Sequence, residues 1–327
     1  MTTQQQPIGS GFGARSTALE VVDGTDLTGR LAIVTGGYSG IGTETTRALV
    51  RAGAHVVVPA RRRATAEAQL AGIDGPGAVE IDQLDLADLD SVHAFAERFL
   101  ASERSVDLLI NNAAVMACPE TRVGPGWEAQ FATNHLGHFT LANRLWPALA
   151  AGGGARVVAL SSRGHKRSGI RWDDVMFERD PYDKWLAYGQ AKSANSLFAV
   201  QLDALGRDAG VRAFAVHPGG IMTPLQRHLP REEMVALGWV DEQGTPRLPF
   251  KTVEQGAATA TWAATSPRLA ALGGVYCEDC DIAEVTVPGS EAAEVRGVDQ
   301  HAIDPDDAAR LWALSAQYTG VDAFAPH

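Results

Sequence analysis

The chain has 327 residues, with 28 Lys plus Arg against 39 Asp plus Glu and a formal net charge of −11. Hydrophobic residues make up 45% and charged residues 20%, an ordinary globular balance rather than a disordered one. The acidic excess argues against phosphate-driven nucleic-acid binding, no stretch approaches the ~20 apolar residues of a membrane helix, and three cysteines cannot form a disulfide framework.

In chain order, the segment up to Gly29 is polar and predicts a surface arm over residues 1–25, followed by one domain over 26–327. Met1 to Ser10 is Gln-rich and lacks the basic start and apolar centre of a secretory signal, so a reducing, cytoplasmic setting is expected. Leu31-Ala32-Ile33-Val34 is a short apolar strand, and Thr43 to Arg51 after it is helix-compatible. His55 to Val58 is a second strand, Ala64 to Leu70 a helix, and Val79 to Leu84 a weaker third strand. Ser91 to Leu100 places Val92, Phe95, Ala96 and Phe99 on one helical face. Val106 to Ile110, Arg156 to Leu160 and Val211 to Val216 read as buried strands, with long helices expected around Trp127 to Leu149 and Tyr188 to Leu205. This rhythm predicts an α/β fold: a Rossmann-type, doubly wound parallel sheet with helices on both faces and right-handed connections.

Two further segments break the rhythm. Arg163 to Ala187 is an insertion carrying Trp172, Phe177, Tyr182 and Trp185, and Met222 to Phe250 surrounds a short helix (Arg231 to Leu237) with four prolines. Long irregular stretches in one domain are often functional, so both are candidate substrate lids. Leu225, Met234, Leu237 and Trp239 are the apolar side chains expected to close over a ligand.

The first strand runs into Thr35-Gly36-Gly37-Tyr38-Ser39-Gly40-Ile41-Gly42, after which a helix begins. Glycines at a strand-to-helix turn let the backbone approach a pyrophosphate, and the helix start offers N–H groups and a positive dipole end. The glycines are more widely spaced than in G-x-G-x-x-G.

Together, this glycine turn, Asn111-Asn112-Ala113-Ala114, Asn134, Ser161-Ser162, Tyr188-x-x-x-Lys192 and His217-Pro218-Gly219 follow the order found in short-chain dehydrogenases/reductases. The resemblance spans roughly Asp26 to Tyr276, and Thr133-Asn134-His135-Leu136-Gly137-His138-Phe139 with the long Ser162-to-Tyr188 gap resembles the retinol-dehydrogenase-like branch. Ala114 stands where that family's Asn-Asn-Ala-Gly element has its glycine. The resemblance implies a nicotinamide cofactor held by Gly36, Tyr38, Ser39, Gly40, Ile41 and Gly42 in the turn. Asp85 and Leu86 would contact adenine, and Asn112 and Ala113 would line the adenine-ribose side. Pro218, Gly219, Ile221 and Thr223 would pack on the nicotinamide.

The end of the second strand bears on which cofactor is used. It carries Ala60 and then Arg61-Arg62-Arg63, where an NAD enzyme would present a carboxylate to the ribose 2′-OH. Guanidinium forks match a 2′-phosphate, so Arg61 and Arg62 point to NADP(H).

Tyr188 and Lys192 are four apart and share a helical face. A nearby ammonium is expected to lower the phenol's pKa and make Tyr188 a general acid/base. By the resemblance, Ser162 would hold the substrate oxygen and Lys192 the ribose hydroxyls. Asn134 would anchor a water that links Lys192 to solvent. The reading that follows is an NADP(H)-dependent oxidoreductase interconverting a carbonyl and an alcohol on a small, moderately apolar substrate. A non-catalytic NADP(H)-binding sensor or scaffold is the alternative, since fold alone does not prove activity. No metal site, nucleic-acid partner or membrane partner is expected, and a homo-oligomer is compatible with the sequence.

Other features read as packing or solvated loops. Cys277-Glu-Asp-Cys280 has no second ligand pair and trails a strand rather than opening a helix, so ordinary thiols are expected. Trp239, Trp262 and Trp312 lack the basic stripe of a stacking platform. Arg163, Lys166, Arg167 and Arg171 form a basic cluster that by default is solvated, with a site for an acidic substrate or cofactor edge as the alternative.

Overall fold

Ten strands are present among the described residues, which are 3–287, 289–290 and 295–325 of a computed structural model. They are β1 (Leu31–Val34), β2 (His55–Ala60), β3 (Ala78–Gln83), β4 (Leu108–Asn111), β5 (Arg122–Val123), β6 (Trp127–Glu128), β7 (Ala155–Leu160), β8 (Val211–His217), β9 (Val275–Glu278) and β10 (Asp281–Ile282). Eight form one sheet in the order β10-β9-β8-β7-β4-β1-β2-β3, parallel throughout except for β10 against β9. The expected doubly wound sheet is the one found. β1 and β4 are buried along their whole length, which is why they read as unbroken apolar runs. β3 lies at an edge and is half-exposed, which explains its weaker signal.

Helices cover both faces. Ile41–Arg51 and Val253–Thr265 pack on one side with Leu49 and Trp262, and Leu89–Leu100, Gly137–Arg144 and Lys184–Gly206 pack on the other with Phe95, Phe139 and Phe198. The chain builds β1, β2 and β3 in one direction, then crosses back to lay β4 on the opposite side of β1. Ligands of open α/β sheets bind outside the strand carboxyl ends at such a reversal. Here that point is the end of β1 and β4, where Val34 faces Ile110.

Three segments differ from the expected elements. The helix expected from Trp127 begins instead as a hairpin of β5 and β6, because Gly124 and Gly126 take positive φ and turn the chain. The helical path then passes through a π-helical turn, Ala132–Leu136, before Gly137–Arg144. The leader is more than a polar arm. Gln5 bonds the carbonyls of Tyr276 and Ala283, Asp281 accepts N–H groups from Ile8 to Ser10, and the helix Ala18–Val22 buries Ala18, Val21 and Val22. It thereby covers an otherwise open sheet edge. Most aromatics of the Arg163 to Ala187 segment are structural: Trp172 lies under Arg310, Phe177 under Arg171, and the Tyr182 hydroxyl bonds to Gln130 and Glu128. Cys277 and Cys280 are buried free thiols.

Candidate active site

The glycine turn is shaped by close backbone approach. Gly36 has φ +63°, and a Cβ there would sit 3.1 Å from Ala113. A Cβ on Gly42 would lie 2.3 Å from the Gly36 carbonyl oxygen, so only glycine fits beneath the turn. Gly40 caps the helix Ile41–Arg51 in a positive-φ conformation, and no side chain bonds the helix start. The first helical turn therefore presents its dipole end to the crevice, as an anion site requires.

Thr35 ties this turn to the rest of the site. Its hydroxyl accepts the N–H groups of Asn112 at 2.9 Å and Ala113 at 3.0 Å. His138 Nε2 lies 2.9 Å from the same hydroxyl, and His138 Nδ1 lies 2.9 Å from the Asn134 carbonyl. A carbonyl only accepts, so Nδ1 carries the proton and Nε2 accepts from Thr35. Burial pushes the His138 pKa down to about 4, which keeps this neutral tautomer at physiological pH.

Asn134 sits in the π-helical turn with both ends of its side-chain amide engaged by Val115, at 2.8 and 2.9 Å. That amide fastens the strand extension after β4. It does not face the cavity, so any water link would have to use another atom of this turn.

A cavity of about 1560 Å³ runs along the strand ends. Of the residues singled out from the sequence, Gly36, Tyr38, Ser39, Gly40, Ile41, Arg61, Arg62, Asp85, Leu86, Asn112, Ala113, Ser162, Tyr188, Lys192, Pro218, Gly219, Ile221 and Thr223 all line it. Gly42 and Asn134 lie behind the wall. Arg61 and Arg62 have no carboxylate partner among the described residues, whereas Arg63 pairs with Glu67 at 2.8 Å. The arginine triplet thus divides into two free cations at the cavity and one helix-surface ion pair.

At the other end, the helix Lys184–Gly206 carries Tyr188 and Lys192 into the cavity, with the Lys192 ammonium 5.6 Å from the Tyr188 ring centre. Lys192 Nζ donates to the Leu160 carbonyl at 2.8 Å. The two serines are distinct. Ser161 donates to the Lys192 carbonyl at 2.8 Å, while Ser162 hydrogen-bonds Tyr188 and accepts the Gly164 N–H at 3.0 Å. Burial raises the Tyr188 phenol to about 12 and lowers Lys192 to about 7. The phenol therefore moves opposite to the expected direction, because desolvation of the phenolate outweighs the stabilising hydrogen bond with Ser162. The protonated phenol is the form that can donate a proton.

Beyond Tyr188 the wall is apolar and aromatic. Trp185 stands edge-on to both Tyr188 and Trp239, and Trp239 edge-on to Phe250. Met116 and Leu225 complete this end. Met222 to Phe250 thus supplies much of the wall, whereas Arg163 to Ala187 contributes mainly Trp185 and the basic residues Arg163, Lys166 and Arg167.

The sequence matches the family profile described as "short chain dehydrogenase" over residues 30–234. The chain belongs to the short-chain dehydrogenase family. A Streptomyces antibioticus protein named "Probable oxidoreductase" is 47% identical over 293 residues, covering 88% of this chain and 96% of the relative. Mouse "Retinol dehydrogenase 12" is 36% identical over 298 residues, covering 90% and 88%, which places the dehydrogenase in the retinol-dehydrogenase-like branch. The solved structure of an uncharacterised Mycobacterium paratuberculosis protein superposes with a TM-score of 0.72 at 31% identity, covering 95% of this chain and all of that one. The dehydrogenase is accordingly an oxidoreductase of a family that binds a nicotinamide cofactor. The uncapped helix start, the glycine cradle and the two free guanidiniums of this chain fit such a group.

Several site residues escaped the sequence reading. His165 Nδ1 donates to the Ser162 carbonyl at 2.7 Å and its Nε2 accepts the Asp299 N–H at 3.2 Å, fixing the Ser162 loop to the C-terminal segment. Lys166 pairs with Asp299 at 2.7 Å, and Asp299, Gln300 and His301 reach the cavity wall. No local motif signals the contacts to Asp299, because they join positions more than 130 residues apart. No helix among the described residues is long and apolar enough to cross a membrane.

Proposed function

We propose that the dehydrogenase interconverts a carbonyl and an alcohol on a small, moderately apolar substrate, using NADP(H) in the cytoplasm. The observation that carries this reading is the pairing of a buried, protonated Tyr188, bonded to Ser162 and beside Lys192, with a glycine-lined anion cradle at the other end of one cavity. When bound, the nicotinamide supplies the hydride to the carbonyl carbon.

In this reading Tyr188 donates its hydroxyl proton to the oxygen that becomes the alcohol, and Ser162 holds that oxygen in line. Lys192 stabilises the phenolate left behind and binds the ribose hydroxyls, while Asn134 positions the Val115 strand extension that floors the site. Gly36, Tyr38, Ser39, Gly40 and Ile41 form the pyrophosphate cradle, and Gly42 permits its close turn. Asp85, Leu86, Asn112 and Ala113 border the adenosine; Pro218, Gly219, Ile221 and Thr223 border the nicotinamide. Arg61 and Arg62 supply the preference for a 2′-phosphate, since no acidic side chain stands at the end of β2. The aromatic wall of Trp185, Trp239 and Phe250 supports an apolar substrate. Three unpaired thiols support a reducing compartment.

The test is NADPH oxidation against a panel of ketones, aldehydes and quinones, repeated with NADH. Turnover with NADPH well above that with NADH is expected. Tight NADPH binding without turnover of any carbonyl would instead favour a sensor.

A further inference from the structure

One cation on the cavity wall belongs neither to the glycine turn nor to the catalytic helix. Arg227 lies in the 3₁₀ turn Pro224–His228 of the Met222 to Phe250 segment. That turn is rigidly fastened: Thr223 and Gln226 cap one another, and Gln226 Nε2 donates to the Ile221 carbonyl at 2.8 Å. Its start abuts the glycine turn, since a Cβ on Gly40 would meet Thr223 at 3.3 Å. Arg227 is exposed overall, with its guanidinium partly desolvated against the cavity it lines together with Tyr38 and Arg61. Its guanidinium donates to the Pro224 carbonyl at 3.2 Å, and it has no carboxylate partner among the described residues.

Its charged surroundings are unusual. Burial, and then the Arg61 guanidinium, hold Arg227 below the ordinary guanidinium range. Arg61 follows the end of β2 and Arg227 belongs to the 222–250 segment, so two like charges line one cavity, neither with a carboxylate partner among the described residues. A phosphate relieves that repulsion and satisfies two planar donor forks together.

We propose that Arg227 is a phosphate ligand carried by the 222–250 segment, closing with Arg61 on a phosphate of the bound dinucleotide. This rests on the NADP(H) reading above. It adds that the segment bordering the substrate is tied to cofactor occupancy through one side chain. The phosphate is either the 2′-phosphate or the pyrophosphate, and the two are distinguished by the cofactor used.

The experiment measures dissociation constants for NADPH and NADH by quenching of intrinsic tryptophan fluorescence, in the wild type, Arg227→Gln and Arg227→Lys. Arg227→Gln is expected to weaken NADPH binding about tenfold, the scale of one lost charge-assisted contact, with partial recovery in Arg227→Lys. Unchanged NADH binding assigns the 2′-phosphate, and an equal loss for NADH assigns the pyrophosphate; either supports the proposal. NADPH and NADH constants both within twofold of the wild type would overturn it. A wild type that binds NADH more tightly than NADPH would refute the cofactor preference separately. Arg227→Gln should keep the thermal midpoint of the ligand-free protein and lose part of the NADPH-induced upward shift, so a folding defect is separable from a binding one.

Discussion

The Glu233 carboxylate accepts the indole N–H of Trp185 at 2.9 Å and pairs with the Lys184 ammonium at 2.5 Å. Glu233 lies in the helix Arg231–Ala236 of the 222–250 segment, while Lys184 and Trp185 open the helix that carries Tyr188. One carboxylate thus joins the two elements that frame the apolar end of the cavity, and it orients the ring standing edge-on to Tyr188. Lys184 and Trp185 hold its pKa below the usual carboxylate range, so the contact persists into mildly acidic solution.

Glu233→Ala is expected to raise KM for the carbonyl substrate about tenfold, equivalent to roughly 1.4 kcal/mol and near the lower end of a charged hydrogen bond, with a smaller change in kcat. Glu233→Gln retains an acceptor for the indole and should recover part of the loss. Steady-state kinetics of both variants check this, and an unchanged KM in Glu233→Ala would show that Trp185 is held by packing alone.

The pair Tyr188 and Lys192 makes a pH prediction. Reduction requires both groups protonated in the proposed roles, and the phenol, at about 12, stays protonated throughout the accessible range. Lys192 sits at about 7, so its positive charge is present below that value and lost above it. The kcat/KM for NADPH-driven reduction should therefore fall as pH rises through about 7, and this limb should be absent in Lys192→Met. A flat profile from pH 6 to 9 in the wild type would contradict the assignment.

Buried neutral histidines predict the stability profile. Burial lowers His138 and His165 to about 4 and His135 to about 3, from an ordinary 6.5. Between these values the unfolded chain binds protons that the folded chain does not, so stability is full above about 6.5 and falls on acidification. At pH 5 the loss is roughly 2 kcal/mol per histidine. Urea midpoints at pH 7.5 and pH 5 measure it, and equal midpoints would refute it.

His138 also carries a local prediction. His138→Ala removes a buried ring and leaves the Thr35 hydroxyl and the Asn134 carbonyl without this partner. A loss of about 2–4 kcal/mol is expected from the cavity and the unmet hydrogen bonds. It should appear as a lowered urea midpoint together with weakened cofactor binding, because Thr35 also fixes Asn112 and Ala113.

The central sheet was legible because β1, β4, β7 and β8 are buried parallel strands, which advertise themselves as apolar runs. The cavity-lining residues were legible where a short motif concentrates them, as in Thr35 to Ile41 and Tyr188 to Lys192. Trp127 misled because its helical pattern conceals a turn made by Gly124 and Gly126. Arg227, His165 and Asp299 were not legible, since their roles come from contacts between distant elements rather than from spacing. The direction of the Tyr188 shift also depended on burial, which the four-residue interval to Lys192 does not report.

The cofactor preference is tested by Arg61→Gln combined with Arg62→Gln. Loss of two free guanidiniums at the end of β2 should lower kcat/KM for NADPH by about tenfold or more and leave that for NADH nearly unchanged. An equal fall for both cofactors would show that the pair does not read the 2′-phosphate.

The most direct test is carbonyl reduction by purified Tyr188→Phe, with NADPH binding measured alongside. Binding within a few-fold of the wild type, together with a rate at least about 100-fold lower, is the predicted result, because a positioned general acid contributes on the order of 10²–10⁴. Full NADPH-dependent reduction by Tyr188→Phe would contradict the account at its centre.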